Sequence, residues 1–353
     1  VRIKTIHPRE LDEGYATLWR AHQRANPALQ SPYLTPDWAW LIGQVRDDAR
    51  VCIVEDGEGF LGAQRLSRFA AMGLGAPIAD YQGVVARAGL TIPSAALCRA
   101  LQVGRIDMTH APSGLTPMTA CGEDGSWLAE ASGGRDLYEA ALRQRRSEFV
   151  RQTDKKARKL ARDHGDVEFR AASPERADFE TLVEWKNAQL LRTGQPGVWT
   201  TPWVRRTLDA CFDSREQRFG GTLFTIRAGA RLAAAAFCLR SHRVLHLWLL
   251  AHDPAFDSYS PGVHLVRRIV GWAGDNGLRE VDFGPGDYQF KRQLSTSQRT
   301  LERGVVTGGS LAGALRCTEY ALRARIERLP HRRIAALPGK AMRRLDLVRA
   351  LHA

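Results

Sequence analysis

Residues His252 to Leu294 read HDPAFDSYSPGVHLVRRIVGWAGDNGLREVDFGPGDYQFKRQL. A Pro-Gly turn, a helix, a strand and a Gly-bracketed acidic loop follow one another within it. The preceding apolar run HRVLHLWLLA predicts a strand, and DPAFDSYSPG then brings the chain to a helical pattern beginning at Val263. Tyr259 or Ser260 ends the loop, and Pro261 suits the first helical turn because its missing N–H is not needed there. Gly277 is a natural stop, REVDF reads as a short strand, and GPGDYQFK leaves it as a loop carrying Asp287, Tyr288 and Lys291. Polar groups therefore gather where strands end, with His252, Asp253, Asp282 and Asp287 among them.

Upstream, GGTLFTIRAGARLAAAAFCLRSHRVLHLWLLAHD predicts three antiparallel strands with turns at Ala228-Gly229 and Ser241-His242. Before them DVEFRAA reads as a strand. A helix follows from Pro174 to Leu191, with Phe179, Leu182, Trp185 and Leu190 on or near one face, and VRRTLDACFD is a second helix. The order is strand, helix, helix, three strands, helix, strand. A weaker version runs through the N-terminal part. VRIKTI is a strand, and Leu11, Tyr15, Leu18 and Ala21 recur at helical spacing. Thr35-Pro36-Asp37 then starts a helix that sends Trp38, Trp40 and Leu41 into a core. ARVCIVED and GFLGAQRLSRFAAM form strands joined at Asp56-Gly57, PSAALCRALQ a helix, and RIDMTHAP a strand. The expected fold class is α/β (α+β) in two related tandem domains, 1–145 and 146–306. Each has a mixed, mostly antiparallel sheet flanked by helices, and a basic helical tail, 307–353, follows.

With 353 residues and an ordinary apolar fraction of 44%, the chain folds by burial and has length for two cores. A net charge of +13 and a pI near 9.9 favour anionic partners. Six scattered cysteines and no His-rich spacing signal neither a metal site nor a disulfide framework. The N-terminal VRIKTIHPRELDEG has no signal-peptide pattern, so the expected location is cytoplasmic. Between Leu142 and Arg162 nine Lys or Arg face two acids. That segment is either a solvated connector or an arm that contacts phosphate. The tail is Arg-rich, with helical patterns broken at Pro330 and Pro338-Gly339. It either packs as a helical tail or docks, as an interfacial helix, at the inner face of an anionic membrane. No DNA-binding signature accompanies the charge.

The basic helix, the Trp185 to Gly194 segment ending Arg-Thr-Gly, the LAAAAFCLRSHRVLHLWLLAHDPAFDSYSPGVHL run and VDFGPGDYQFK together resemble the CelD/BcsL-type acetyltransferases of the GNAT superfamily, related to the tandem-GNAT FemABX transferases. SPYLTPDWAW and APIADYQG resemble the family's first half. The resemblance implies two GNAT-like domains and acetyl-CoA, or another acyl-CoA, as co-substrate, without a metal. It places pantetheine on the main chain of Leu245 to Ala251, Leu249 and Leu250 included, and pyrophosphate on the N–H groups of Gly262, Val263 and His264. It implies an N-acyltransferase acting on an anionic small-molecule or lipid-linked sugar acceptor for surface polysaccharide. Asp287 would orient or deprotonate the amine, Tyr288 would act as general acid, and Asp282 would act beside them or pair with Lys291 or Arg292. Lys291 would meet an acceptor phosphate or carboxylate, with Trp185, Lys186 and Tyr81 lining the acceptor site. SPGVH lacks the usual Q/R-x-x-G-x-G/A loop, which leaves aminoacyl-tRNA open as donor, with a cell-wall precursor as acceptor. A non-catalytic anion sensor or scaffold is the remaining alternative.

Overall fold

The computed structural model describes residues 1–192, 194–195, 197–214, 216, 218–328 and 332–352. In chain order it contains β1 (Ile3–Ile6), α1 (Glu13–Ala25), α2 (Pro36–Val45), β2 (Ala49–Val54), β3 (Gly59–Arg65), β4 (Ala70–Gly73), β5 (Val84–Ala86), α3 (Ser94–Leu101) and β6 (Arg105–Pro112). There follow β7 (Thr119–Glu130), α4 (Gly134–His164), β8 (Val167–Arg170), α5 (Arg176–Arg192), α6 (Pro202–Asp213), β9 (Gly220–Ala228), β10 (Arg231–Arg240) and β11 (Val244–His252). Then come α7 (Pro261–Asp275), β12 (Glu280–Pro285), α8 (Gln289–Leu294), β13 (Ser297–Thr307), α9 (Leu311–Glu327) and α10 (Arg332–His352). The chain divides into one unit of residues 1–124 with 300–353 and a second of 125–299. The expected boundaries at 145/146 and 306/307 fall inside α4 and at the end of β13.

Within the first unit the sheet order is β1-β2-β3-β4-β6-β13, with β5 against β3. All pairs are antiparallel except β4 with β6. In the second unit the order is β8-β9-β10-β11-β12-β7, again antiparallel except for β11 with β12. Each unit contains the run strand, two helices, three strands, helix and a strand parallel to the third, with β5 added in the first, and each sheet carries an antiparallel sixth strand from elsewhere in the chain. The two halves are thus topological repeats. The sixth strand is the one the sequence pattern misses in both. TACGEDGSWLAE and SQRTLERGVVT are mostly polar and exposed or half-buried, so neither shows an apolar alternation.

Local signals set the helix starts. Asp12 accepts from the Tyr15 N–H, Thr35 from that of Trp38, and Ser310 from that of Gly313. In α1 the buried face is Ala16, Trp19 and Gln23, whereas the expected Leu18 is 42% exposed. Trp19 decides the face, stacking on Phe60 at 4.8 Å and donating its indole N–H to the Leu34 carbonyl at 2.9 Å. Trp38 is fully buried while Trp40 is exposed, because two positions on a helix point to opposite sides. The expected loop after β12 contains α8. The expected break at Pro338-Gly339 is absent, since α10 runs through it. Gly339 packs close to α9, where a Cβ would lie 2.7 Å from Glu327 Oε1. Pro330 lies outside the described residues.

The second unit's core joins α7 to the sheet. Leu265, Val266, Ile269 and Val270 are fully buried, each contributing about 1.5–3 kcal/mol, against Phe224, Leu245, Val281 and Phe283. The core fixes α7, and with it the turn at Pro261.

Candidate active site

Strands β11 and β12 share only three rungs, Val244 with Glu280, Leu245 with Val281 and His246 with Asp282. Beyond them β11 continues to His252, paired only with β10. Its register shifts where Phe237 faces Leu249 but Cys238 faces Leu247, leaving Trp248 as a bulge. From Leu247 onward one edge of β11 therefore turns its main-chain groups into a gap between two parallel strands. That gap opens as a cleft of about 610 Å³.

Aromatic side chains form much of its wall, with Trp248, Phe283 and Phe290 lining it together with Trp185 of α5. Lys186, Arg192 and Lys291 supply positive charge. Lys291 is buried, and its ammonium donates to the carbonyls of Gly284 at 3.2 Å and Pro285 at 2.7 Å, 5.3 Å from the Tyr288 ring. Trp127 Nε1 donates to the Gly286 carbonyl at 3.2 Å, so the loop that presents Tyr288 is held on both sides. Gly284 and Gly286 make the turn at φ of 75° and 97°.

The vertex of the gap is a buried anion. Asp282 is fully buried, its Oδ1 accepting from Ser126 Oγ at 2.6 Å and the Gly284 N–H at 2.8 Å. Its Oδ2 lies 3.6 Å from Arg299 Nη1 and 3.7 Å from His246 Nδ1. Burial alone would raise its pKa, but His246, Arg299 and Ser126 outweigh it and hold the carboxyl well below its usual range. Asp282 secures the last rung and does not line the cleft.

At the other end the cleft reaches the start of α7. Ser260 adopts a left-handed conformation at φ of 52°, and its carbonyl accepts from the N–H groups of Val263 at 3.1 Å and His264 at 3.4 Å. Among the described residues, the Gly262 N–H is left without a protein acceptor. A Cβ on Gly262 would meet only His252 Nδ1 at 3.8 Å and Leu250 Cδ1 at 3.9 Å, so this backbone faces open space. Lys156 reaches over from α4 to donate to Ser260 Oγ at 2.8 Å. That contact is part of a wider docking of the basic helix. Tyr259 donates to Asp163 at 3.0 Å, and Arg267 pairs with Glu139 at 2.6 Å and Asp154 at 2.8 Å. The helix is therefore packed along α7, with Lys156 at the cleft rim, and is not a free connector.

Of the residues singled out in the sequence, the structure brings Trp185, Lys186, Leu250, Gly262, Val263, Tyr288 and Lys291 to one cleft. It does not bring Asp287, which is exposed and pairs with Arg292 at 3.0 Å. The Leu249 side chain is fully buried and is not among the residues lining the cleft. His264 sits beside Arg267, Asp154 and Lys156, away from the cleft lining, and burial together with Arg267 pushes its pKa down to about 4. Tyr81 is fully buried in the first unit, beside a void of only about 10 Å³, and is not among the residues lining this cleft. The first unit repeats the three parallel rungs, ending at Met72 with Asp107. Its own chain then fills the gap: Gln82 takes the Thr109 N–H at 3.0 Å and donates its own N–H to the His110 carbonyl at 3.0 Å. Lining residues that sequence reasoning passed over include Trp248, Phe283, Arg192 and Asp257, the partner of His252 at 2.5 Å. An apolar run hides the bulge that turns Trp248 inward, whereas His252 already stood out at its strand end.

A mixed sheet in which one strand parts from its parallel neighbour over a helix N-terminus is the architecture of the GNAT fold. Residues 147–292, most of the second unit, match the family model described as an acetyltransferase (GNAT) domain. Comparison with curated proteins gives no match. Among solved structures, the C-terminal domain of a candidate lysylphosphatidylglycerol synthetase from Agrobacterium fabrum is 11% identical with a TM-score of 0.54, over 87% of this chain and 95% of that one. A conserved protein of unknown function from Bacteroides thetaiotaomicron, also 11% identical, has a TM-score of 0.55 over 86% of this chain and all of its own. FemX aligns over 86% of this chain and 96% of its own at 11% identity, with a TM-score of 0.49. At such identities the likeness is one of fold. Among the described residues no group of His, Cys, Asp and Glu is arranged to hold a metal ion.

Proposed function

We propose that the second unit is an N-acyltransferase that takes its acyl group from acyl-CoA, acetyl-CoA in the simplest case, and passes it to an amino group of an anionic acceptor. The observation that carries this reading is the parting of β11 from β12 beyond His246, which leaves a strand edge leading to the free Gly262 N–H. Pantetheine amides would pair with that edge, and the pyrophosphate would meet Gly262, the α7 dipole and Lys156. The thioester would then lie near the Trp248 bulge. The acceptor amine attacks the acyl carbon and sheds a proton to solvent, the C–S bond breaks, and Tyr288, on the cleft wall, supplies the proton for the departing thiolate and is reprotonated from solvent.

For the acceptor, the aromatic walls suit the apolar face of a sugar ring, and Lys186, Arg192 and Lys291 suit a phosphate or carboxylate. A sugar nucleotide or lipid-linked amino sugar for surface polysaccharide, as in CelD/BcsL-type enzymes, fits these features. Such work would take place in the cytoplasm. Calorimetry of the full chain with acetyl-CoA and longer acyl-CoAs tests the donor. Micromolar binding by any of them supports the reading, and no binding by all of them defeats it.

One feature favours a second reading. Arg151, Lys155, Arg158, Lys159 and Arg162 are exposed on one stripe of α4, next to the turn that Lys156 contacts. A polyanionic donor such as aminoacyl-tRNA would follow that stripe, with affinity falling steeply as salt rises. A donor assay at graded salt separates the two.

A further inference from the structure

Helices α9 and α10 pack antiparallel. Arg316 pairs with Asp346 at 2.5 Å, and Gly339 lies against Arg323 and Glu327. Their inner faces are bound into the first unit: Arg316 also approaches Asp107 at 3.4 Å, and Tyr320, Ala350 and Leu351 are buried. The outer faces carry the opposite chemistry. Leu311, Leu315 and Leu322, at helical spacing along α9, are 76%, 57% and 57% exposed, and Leu345 and Val348 of α10 are 57% and 44% exposed. The pairing of Arg316 with Asp346 brings Leu315 and Leu345 to the same stretch of the hairpin.

Charge on this hairpin is as one-sided as its apolar face. Its three acids are all occupied, Glu319 and Asp346 by Arg316 and Glu327 by Arg323. Among the described residues, Arg325, Arg328, Arg344 and Arg349 have no acidic partner. Apolar side chains standing in water between unpaired arginines suit a surface with hydrocarbon beneath a layer of negative charge. A second copy of the chain fits poorly, since self-association through this face would bring two such sets of arginines together. A nucleic acid would satisfy the arginines and leave the leucines in water.

We propose that the α9–α10 hairpin docks the protein on an anionic lipid bilayer. The proposal is independent of the donor and acceptor chosen for the cleft, because it concerns residues of the other unit. The test is co-sedimentation of the full chain with vesicles of pure phosphatidylcholine, and of three parts phosphatidylcholine to one part phosphatidylglycerol. The expected result is partitioning at least about tenfold stronger on the anionic vesicles, weakened by salt. Leu315→Glu with Leu345→Glu, both at exposed positions, should abolish it at an unchanged thermal midpoint. Arg325→Ser with Arg344→Ser should remove the preference for anionic lipid, and decides the matter if the first variant is unstable. Equal binding to both vesicle types, no binding to either, or wild-type binding by the arginine variant overturns the proposal. So does a dimer in sedimentation velocity that dissociates on leucine replacement.

Discussion

His252 Nε2 and Asp257 Oδ1 lie 2.5 Å apart, which leaves the other imidazole nitrogen facing the Gly262 backbone. The pair stands four residues beyond the Trp248 bulge, or about 13 Å along the strand. It therefore stands at the end of the cleft where the pyrophosphate is proposed to lie. His252→Ala should raise the donor KM by roughly 5–30-fold, the loss of one charge-assisted hydrogen bond, with kcat little changed. Steady-state kinetics against donor check this, and a collapse of kcat at constant KM would move the imidazole into the chemistry.

Gly262→Ala separates stability from binding. No protein atom comes closer than 3.8 Å to the new methyl, and alanine is the better helix residue, so the fold should gain about 0.5–1 kcal/mol. Donor affinity should fall at least about tenfold as the methyl blocks the approach to the N–H. Thermal melting and calorimetry on the same sample read both signs.

Tyr288→Phe should lower kcat by about a hundredfold without changing either KM, the magnitude of a lost general acid. The ring is 59% exposed, so the substitution should not disturb folding. Thiol release followed continuously gives the rate, and an unchanged kcat would assign the proton to water.

His264 gives the fold a pH dependence of its own. Its pKa is pushed down to about 4, below the ordinary 6.5, so between these values the unfolded chain binds a proton that the folded chain refuses. Stability should fall as pH drops from 6.5 to 4, by at most about 3 kcal/mol. Denaturant titrations across that window should show the slope, and His264→Leu should flatten it.

Asp282→Asn should cost about 3–5 kcal/mol, because it removes the buried carboxylate approached by His246 and by Arg299, which also pairs with Glu280. The wild-type carboxylate, with its lowered pKa, contributes stability above about pH 4 that disappears as pH falls through its folded value. An active variant with a reduced unfolding midpoint is the expected phenotype. Inactivity at full stability would make Asp282 a participant in the reaction.

Much of the second unit was legible because its signals are local. Turns at Ala228-Gly229 and Ser241-His242, Pro261 in the first turn of α7 and Gly277 after its end all lie where short-range rules put them. The first-half motif order was legible too, and the topological repeat bears it out. What local rules could not supply was partnership over distance. The polar strands β7 and β13 are specified by the strands they pair with, β12 and β6, and Trp248 enters the cleft through a register shift. The buried partners of Asp282, Ser126 and Arg299, lie 156 residues before it and 17 after it, out of reach of any local pattern. Tyr81 had the right company in sequence and a fully buried place in space.

The pairings Ile106 with Val306 and Ala129 with Val281 have a kinetic meaning. The first unit's sheet is finished by a strand from the end of the second repeat, and the second unit's by a strand from the end of the first. During synthesis the earliest repeat must wait, its β6 edge unsatisfied, until some two hundred further residues have emerged. Such high contact order makes for slow folding and a long-lived exposed edge. A chain cut between the repeats would yield two fragments that each hold the strand the other lacks, soluble together and aggregation-prone apart.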